Sequence, residues 1–329
     1  MDIVSLIDDA LEISVVGSFS RIGFQVRQRL FGWESPLDGS LAGRTALVTG
    51  PTSGLGRETA GQLASLGARV VLVGRSEAKL CAVRDELVAE VGNDRFPVVV
   101  ADMGSLESVR AAVAQVVATE ERLDIVVDNA GAIYPERIVG PDGIEATLAI
   151  MAVAPFVLIS GLLPLLERTG DARVICVTSG GMYMQAIDLD DLQSETETFS
   201  GPRAYARVKR VQVALVREWG RRLRAVGWAG VTINAMHPGW ADTPGLAEQL
   251  PEFYDRMRPV LRSAAEGVDT IVWLATATGA GAGGGKLYLD RRPRPFDRVP
   301  ATRLSAADRR RLWDIVVGLT GEPDPIAGA

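Results

Sequence analysis

Residues 44–67 read RTALVTGPTSGLGRETAGQLASLG. A short apolar run, Thr45 to Val48, meets the turn Thr49-Gly50-Pro51-Thr52-Ser53-Gly54-Leu55-Gly56 and passes at once into a helical pattern. Glycines in such a turn allow a tight bend. They also let a phosphate approach the helix N-terminus, where free N–H groups and the dipole favour an anion. Strand, glycine turn and helix in that order suit the pyrophosphate of a dinucleotide. Gly50, Thr52, Ser53, Gly54, Leu55 and Gly56 are therefore candidate cofactor contacts.

The same rhythm continues downstream. RVVLVG (69–74), FPVVVAD (96–102), LDIVVDNAG (123–131), RVICVTS (173–179), GVTINAMHPG (230–239) and KLYLD (286–290) are short β-forming runs separated by longer helical patterns. The alternation predicts an α/β fold: a Rossmann-type doubly wound parallel sheet of about seven strands, with right-handed crossovers. An N-terminal helical extension (1–42) precedes this domain (43–290), and a C-terminal tail with a helix (291–329) follows it. Ligands of such sheets bind beyond the carboxyl ends of the strands, so the residues that close each strand carry the information. The segment 241–262 interrupts the rhythm, and its length suits a lid or binding element.

Composition narrows the chemistry. The chain has 329 residues, 47% hydrophobic and 23% charged, with a net charge of -6. That balance speaks against a broad nucleic-acid surface. One histidine, His237, and two distant cysteines, Cys81 and Cys176, cannot build the common zinc motifs, so no metal is expected. Lysine is confined to Lys79, Lys209 and Lys286.

The strand ends then speak in turn. Gly74-Arg75 closes the second strand where NAD-preferring folds place a carboxylate for the ribose 2′-hydroxyl. A guanidinium there suits a 2′-phosphate, so NADP(H) is expected ahead of NAD(H), with Arg57 a possible helper. Asp102 and Asn129-Ala130-Gly131 are placed to line the cofactor or to act as turn formers. Ser179 closes the fifth strand. Tyr205 and Lys209 share one face of a helix at i, i+4, where an ammonium would stabilise a phenolate. His237 precedes Pro238-Gly239, open to a structural role or a substrate contact. Met182, Tyr183 and Trp240 sit beside these motifs as candidate walls of an apolar substrate pocket. Asp188, Asp190 and Asp191 suit a solvated loop.

Taken together, TGxxxGxG, Asp, NAG, Ser, YxxxK and PGxxxT (Pro238 to Thr243) resemble the short-chain dehydrogenase/reductase superfamily over about residues 43–290. VTSGGMY, DLQSE, YARVKRVQVAL and MHPGWADTPG look more narrowly like the member-12 type of dehydrogenase/reductase, close to retinol-dehydrogenase-like reductases. The resemblance implies an NADP(H)-dependent oxidoreductase acting on a carbonyl or alcohol, with Tyr205 as acid/base, Ser179 orienting the carbonyl and Lys209 lowering the tyrosine pKa and binding ribose. Thr243 and the backbone after Pro238, with Gly239, would hold the carboxamide. Met151 departs from the family pattern, which usually has an asparagine there for a proton relay. That departure keeps open the alternative of a catalytically impaired NADP(H)-binding sensor or scaffold.

Other expectations concern location and assembly. Residues 18–33 form a basic amphipathic stretch suited either to peripheral contact with an anionic membrane or to packing on the domain itself or on a partner chain. Residues 146–166 are uncharged and long enough to span a bilayer. Their prolines and their place inside the strand–helix series predict a buried helix instead. The expected location is the cytoplasm, either free or peripheral at a membrane. The resemblance implies a homodimer or homotetramer pairing through that helix and the one carrying Tyr205.

Overall fold

The structure is a computed structural model that describes residues 3–327. Eight strands form one sheet: β1 (Thr45–Thr49), β2 (Arg69–Gly74), β3 (Val98–Val100), β4 (Ile125–Asp128), β5 (Ala172–Val177), β6 (Val231–Met236), β7 (Leu287–Leu289) and β8 (Arg292–Arg294). Their order is β3-β2-β1-β4-β5-β6-β7-β8, with every pair parallel except β7 and β8. All residues of β1 and β4 are buried, as expected of central parallel strands covered on both faces.

Two cores result. One packs Leu63, Leu80, Leu87 and Val268 from the helices Gly54–Ser65, Glu77–Val91 and Ala264–Thr276. The other packs Val109, Leu162, Val211 and Trp313 from Leu106–Thr119, Ala154–Thr169, Gly201–Ala225 and Ala306–Thr320.

The eighth strand joins the expected sheet of about seven. It lies in the tail, past residue 290, and returns antiparallel from β7 with Leu289 opposite Arg292. The two turn residues, Asp290 and Arg291, have φ of 53° and 57°. Two left-handed residues in a two-residue loop match the twist of the flanking strands. Neither is glycine, and side-chain clamps described below hold both.

The long apolar segment Ala146–Thr169 is long and apolar enough to cross a membrane, yet 83% of its most hydrophobic window is buried inside the fold. Residues Ala149–Val153 within it form a π-helical turn, a distortion that often marks functional positions. The C-terminal helix packs on the π turn and on Gly201–Ala225. Trp313 packs edge-on against Trp219 at 4.7 Å and Phe156 at 4.8 Å. The chain's own tail thus occupies part of the surface expected to pair two protomers.

The extension forms the helices Ile3–Ile13, Val15–Phe19 and Arg21–Leu30. Its amphipathic stretch faces inward: Phe19, Phe24 and Arg27 are buried. Arg27 is fully buried and bonds Asp8 (2.7 Å), Glu12 (3.0 Å) and Asp290 (2.7 Å). Arg262 forks onto Asp290 at 2.6 and 3.0 Å and also donates to the carbonyls of Ser18, Phe19 and Ser20. Arg294 of β8 grips Asp8 with two bonds of 2.9 Å. Burial works against the charge on Asp8 and Asp290, but hydrogen bonds and charges from these arginines hold both carboxyls below the usual range. Arg291 is held by Asp269, by the Glu34 carbonyl and over the Trp33 ring.

Candidate active site

The glycine turn forms a cradle at the carboxyl end of β1. Gly50 has φ +66°, and a Cβ there would come 3.0 Å from Ala130 Cα; a Cβ on Gly56 would come 2.1 Å from the Gly50 carbonyl oxygen. No side chain fits at either position. Asn129 ties β4 to this turn: its amide donates to the carbonyls of Thr49 (3.0 Å) and Gly50 (3.3 Å). Thr49 Oγ1 in turn accepts from the backbone of Asn129 and Ala130, at 2.9 Å each. Ser53 stands at the N-cap of the following helix with no side-chain bond to it, which leaves first-turn donors facing the groove.

The groove lined by Gly50, Thr52, Ser53, Gly54, Leu55 and Gly56 continues past Arg75, Asp102, Asn129, Ala130 and Gly131 to Thr243. Arg75 is exposed on its rim and has no carboxylate partner among the described residues. Arg57 does not assist there; Glu86 and Glu90 hold it. Asp102 accepts from the Gly104 amide at 2.8 Å, which shapes its turn. The cradle and the unpaired rim arginine fit a dinucleotide with an extra phosphate.

Beside the groove lies a second cleft, where Ser179, Tyr205 and Lys209 meet. Ser179 caps the short helix Gly180–Met184 and is hydrogen-bonded to the Tyr205 hydroxyl. The surrounding protein raises the Tyr205 pKa, and the bond with Ser179 opposes that shift. Lys209 lies 5.8 Å from the Tyr205 ring centroid. Its ammonium is buried and donates to the Val177 carbonyl at 2.7 Å and to Gln212 Oε1 at 3.4 Å. Burial lowers its pKa to about 8. The ammonium is directed to Val177 and Gln212.

The model of the short chain dehydrogenase family matches residues 44–190. The human protein "Dehydrogenase/reductase SDR family member 12" is 37% identical over 282 residues, 85% of this chain and 87% of that protein. The chain belongs to the short-chain dehydrogenase/reductase family. It is an oxidoreductase, of a family that binds a nicotinamide cofactor. Among solved structures, an uncharacterized protein from Mycobacterium paratuberculosis superposes with TM-score 0.70 at 26% identity, covering 88% of this chain and all of that one. The Pseudomonas aeruginosa RhlG/NADP complex superposes with TM-score 0.62 at 25% identity, covering 77% and 96%.

Several residues of this dehydrogenase/reductase lie where the sequence did not place them. Trp240 does line the cleft that holds Ser179, Tyr205 and Lys209. Met182 and Tyr183 do not: Met182 packs its sulfur 3.7 Å from Arg210, and the Tyr183 hydroxyl donates to the Pro295 carbonyl at 3.1 Å. The short helix after Ser179 turns both under the tail. The apolar walls are instead Ile133, Leu246, Leu250 and Phe253, the last three from the 241–262 segment. Phe253 packs edge-on against Trp240 at 5.4 Å. Pro238, Gly239 and Thr243 line the same cleft, and Thr243 caps the helix Pro244–Gln249 through Leu246 N.

His237 lies behind this wall, fully buried between Phe19 and Tyr183, with no hydrogen-bond partner for either ring nitrogen. Burial, helped by the charge of Arg262, pushes its pKa down to about 3, so it is a neutral packing element rather than a substrate contact. Met151 sits in the π turn, buried, its sulfur 3.1 Å from where a Cβ on Gly131 would be.

Proposed function

We propose that this oxidoreductase interconverts a lipophilic ketone or aldehyde and its alcohol, using NADP(H) and the Ser179-Tyr205-Lys209 centre. The observation that carries the reading is the meeting of these three side chains in an apolar cleft that shares Leu55, Asn129, Gly131 and Thr243 with the glycine groove. Gly50 to Gly56 would take the pyrophosphate. Arg75 would take the 2′-phosphate, a role a carboxylate at that strand end would oppose. Asp102 and Asn129-Ala130-Gly131 would line the adenosine side, and Pro238, Gly239 and Thr243 the carboxamide. NADP(H), when bound, supplies or accepts the hydride.

The chain's own residues handle the proton. Tyr205 Oη donates to the carbonyl oxygen in reduction and accepts from the alcohol in oxidation. Ser179 Oγ donates a hydrogen bond to the same oxygen as charge develops there. Lys209 stabilises the phenolate left behind. Trp240, Leu246, Leu250 and Phe253 exclude water and favour an apolar substrate.

The test is a panel of ketones, aldehydes and lipophilic alcohols assayed with NADPH and NADP+, beside Tyr205→Phe. Turnover that vanishes in Tyr205→Phe while NADPH still binds supports the centre. Full activity in that variant overturns it. Tight NADPH binding with no turnover on any substrate would favour the sensor or scaffold reading instead.

Two further proposals concern setting. Self-association as a homodimer or homotetramer would use the part of the two helices that the C-terminal helix leaves uncovered, and light scattering gives the mass. We place the protein in the cytoplasm. Any contact with anionic lipid would use Ile22 and the exposed Leu6, Ile13 and Val15, because Phe19 and Phe24 point inward. Release from membranes by high salt or carbonate is the expected behaviour.

A further inference from the structure

Behind Lys209 lies a polar chain that the reading above leaves unused. Gln212, one helical turn on, accepts from the Lys209 ammonium at 3.4 Å and donates through Nε2 to Asp128 Oδ2 at 2.7 Å. Asp128 ends β4, directly before Asn129-Ala130-Gly131, and is 1% exposed. Its other oxygen, Oδ1, is buried without any hydrogen-bond partner. Both side chains line a small cavity with Met151, Cys176, Phe156 and Trp219. A half-satisfied carboxyl in so apolar a place costs stability.

What it can serve is set by its neighbours. The titratable groups facing Asp128 are Lys209 from the helix Gly201–Ala225 and Cys176, its register partner on β5. The remaining cavity walls, including the π turn with Met151, are apolar. Lys209 is the one cation of this set. A buried ammonium is disfavoured by desolvation and needs a nearby negative charge to persist. Met151 in the π turn offers only a weak sulfur acceptor and cannot share that task.

We propose that Asp128, acting through Gln212, is a positioning residue for Lys209: its carboxylate is the counter-charge that keeps the buried ammonium protonated and aimed at the cofactor ribose. The inference rests on the reading of Lys209 as a ribose-binding lysine. Burial and charge act on the two groups in the corresponding directions. Burial lowers Lys209 to about 8 with Asp128 resisting, and raises Asp128 to about 6 with Lys209 and Gln212 resisting. Gln212 fixes the geometry, because its amide has one acceptor for the ammonium and donors for the carboxylate.

The test is NADPH affinity of the full chain, followed by cofactor fluorescence from pH 6 to pH 10, with no turnover required. The unmutated protein should lose affinity along an alkaline limb near pH 8 as Lys209 deprotonates. Asp128→Asn keeps shape and an acceptor for Gln212 but removes the charge. Losing the opposite charge across Gln212 should move the limb about one pH unit toward acid, giving about fivefold weaker binding at pH 8 and unchanged binding at pH 6. Gln212→Leu should move it the same way by less. A uniform loss of affinity across the whole pH range would mark a merely structural role and overturn the proposal, as would an unmoved limb. If the unmutated protein binds no NADPH at any pH, the oxidoreductase reading fails first and takes this inference with it. If it binds and turns over but the limb stays fixed in Asp128→Asn, only this inference fails.

Discussion

The ring of Phe19 fills the space beside Gly180: a Cβ on Gly180 would lie 2.6 Å from Phe19 Cε2. Ser179 is the preceding residue, so the N-terminal extension rests directly on the turn that presents the serine hydroxyl. The same Phe19 packs edge-on against Trp240 at 5.9 Å, and its carbonyl accepts from Trp240 N at 2.8 Å. One residue of the extension thus braces both the serine turn and the loop proposed to hold the carboxamide.

Gly180→Ala should therefore lower kcat tenfold to a hundredfold through a small displacement of Ser179, with NADPH affinity nearly unchanged. Phe19→Leu in the same chain should recover much of the loss by clearing the space. The measurement is a double-mutant cycle on kcat. Additive losses would show that the two residues do not compete for that volume.

Arg75 faces open groove with no carboxylate partner among the described residues. Arg75→Ala should weaken NADPH binding roughly tenfold and leave NADH unchanged. Titration of both cofactors against the two proteins decides it. Equal weakening of both would assign Arg75 to shaping the loop rather than to reading the 2′-phosphate.

His237 makes a pH-dependent contribution of definite sign. Its folded pKa is about 3, below its ordinary value of 6.5. Below pH 6.5 the unfolded chain binds a proton that the folded chain refuses, so stability falls as pH falls. From neutral pH to pH 5 the loss is about 2 kcal/mol. His237→Phe keeps a ring against Phe19 and Tyr183 and removes that term. Urea unfolding at pH 7 and pH 5 should show a smaller drop in the variant. An identical drop in both proteins would place the acid sensitivity elsewhere.

Arg27→Met leaves Asp8, Glu12 and Asp290 without their shared cation. Breaking a buried pair from one side costs about 3–5 kcal/mol, or roughly 4–7 °C in Tm for a chain of this size. The depressed pKa values of Asp8 and Asp290 mean that their contribution is present above about pH 4 and is lost as pH falls further. The Tm difference between wild type and variant should therefore shrink in strong acid, which differential scanning at pH 7 and pH 3 measures.

Much of this molecule was legible in the sequence because its central strands are continuous apolar runs and their ends carry the groups that face ligands. Thr45–Thr49 and its glycine turn, Asn129, Ser179, and Tyr205 with Lys209 fall where strand-end and i, i+4 reasoning puts them. The 241–262 segment was marked by its length alone and does supply pocket wall. Adjacency in sequence misled at Met182 and Tyr183, because a short helix rotates them away from Ser179. Arg292-Pro293-Arg294 gave no strand signal, since its pairing rests on the turn at Asp290-Arg291 and on distant carboxylates. The inward face of residues 18–33 was hidden for the same reason: Arg27 looks like a surface charge until Asp8, Glu12 and Asp290 are assembled around it. Asp128 was passed over because a carboxyl inside a strand pattern reads as its turn.

The contact between Asp8 and Arg294 joins residues 286 positions apart. On a ribosome adding about 5–20 residues per second, Asp8 waits roughly 15–60 s for its partner to be made. During that interval the sheet up to β6 can assemble, but Arg27, Asp8 and Glu12 have neither Asp290 nor the tail arginines to meet. The extension is thus synthesised before the sheet and is among the last elements to dock. Until it docks, the turn beside Gly180 and the loop at Trp240 lack their brace, so a nascent chain holds a formed sheet well before it holds a formed active site.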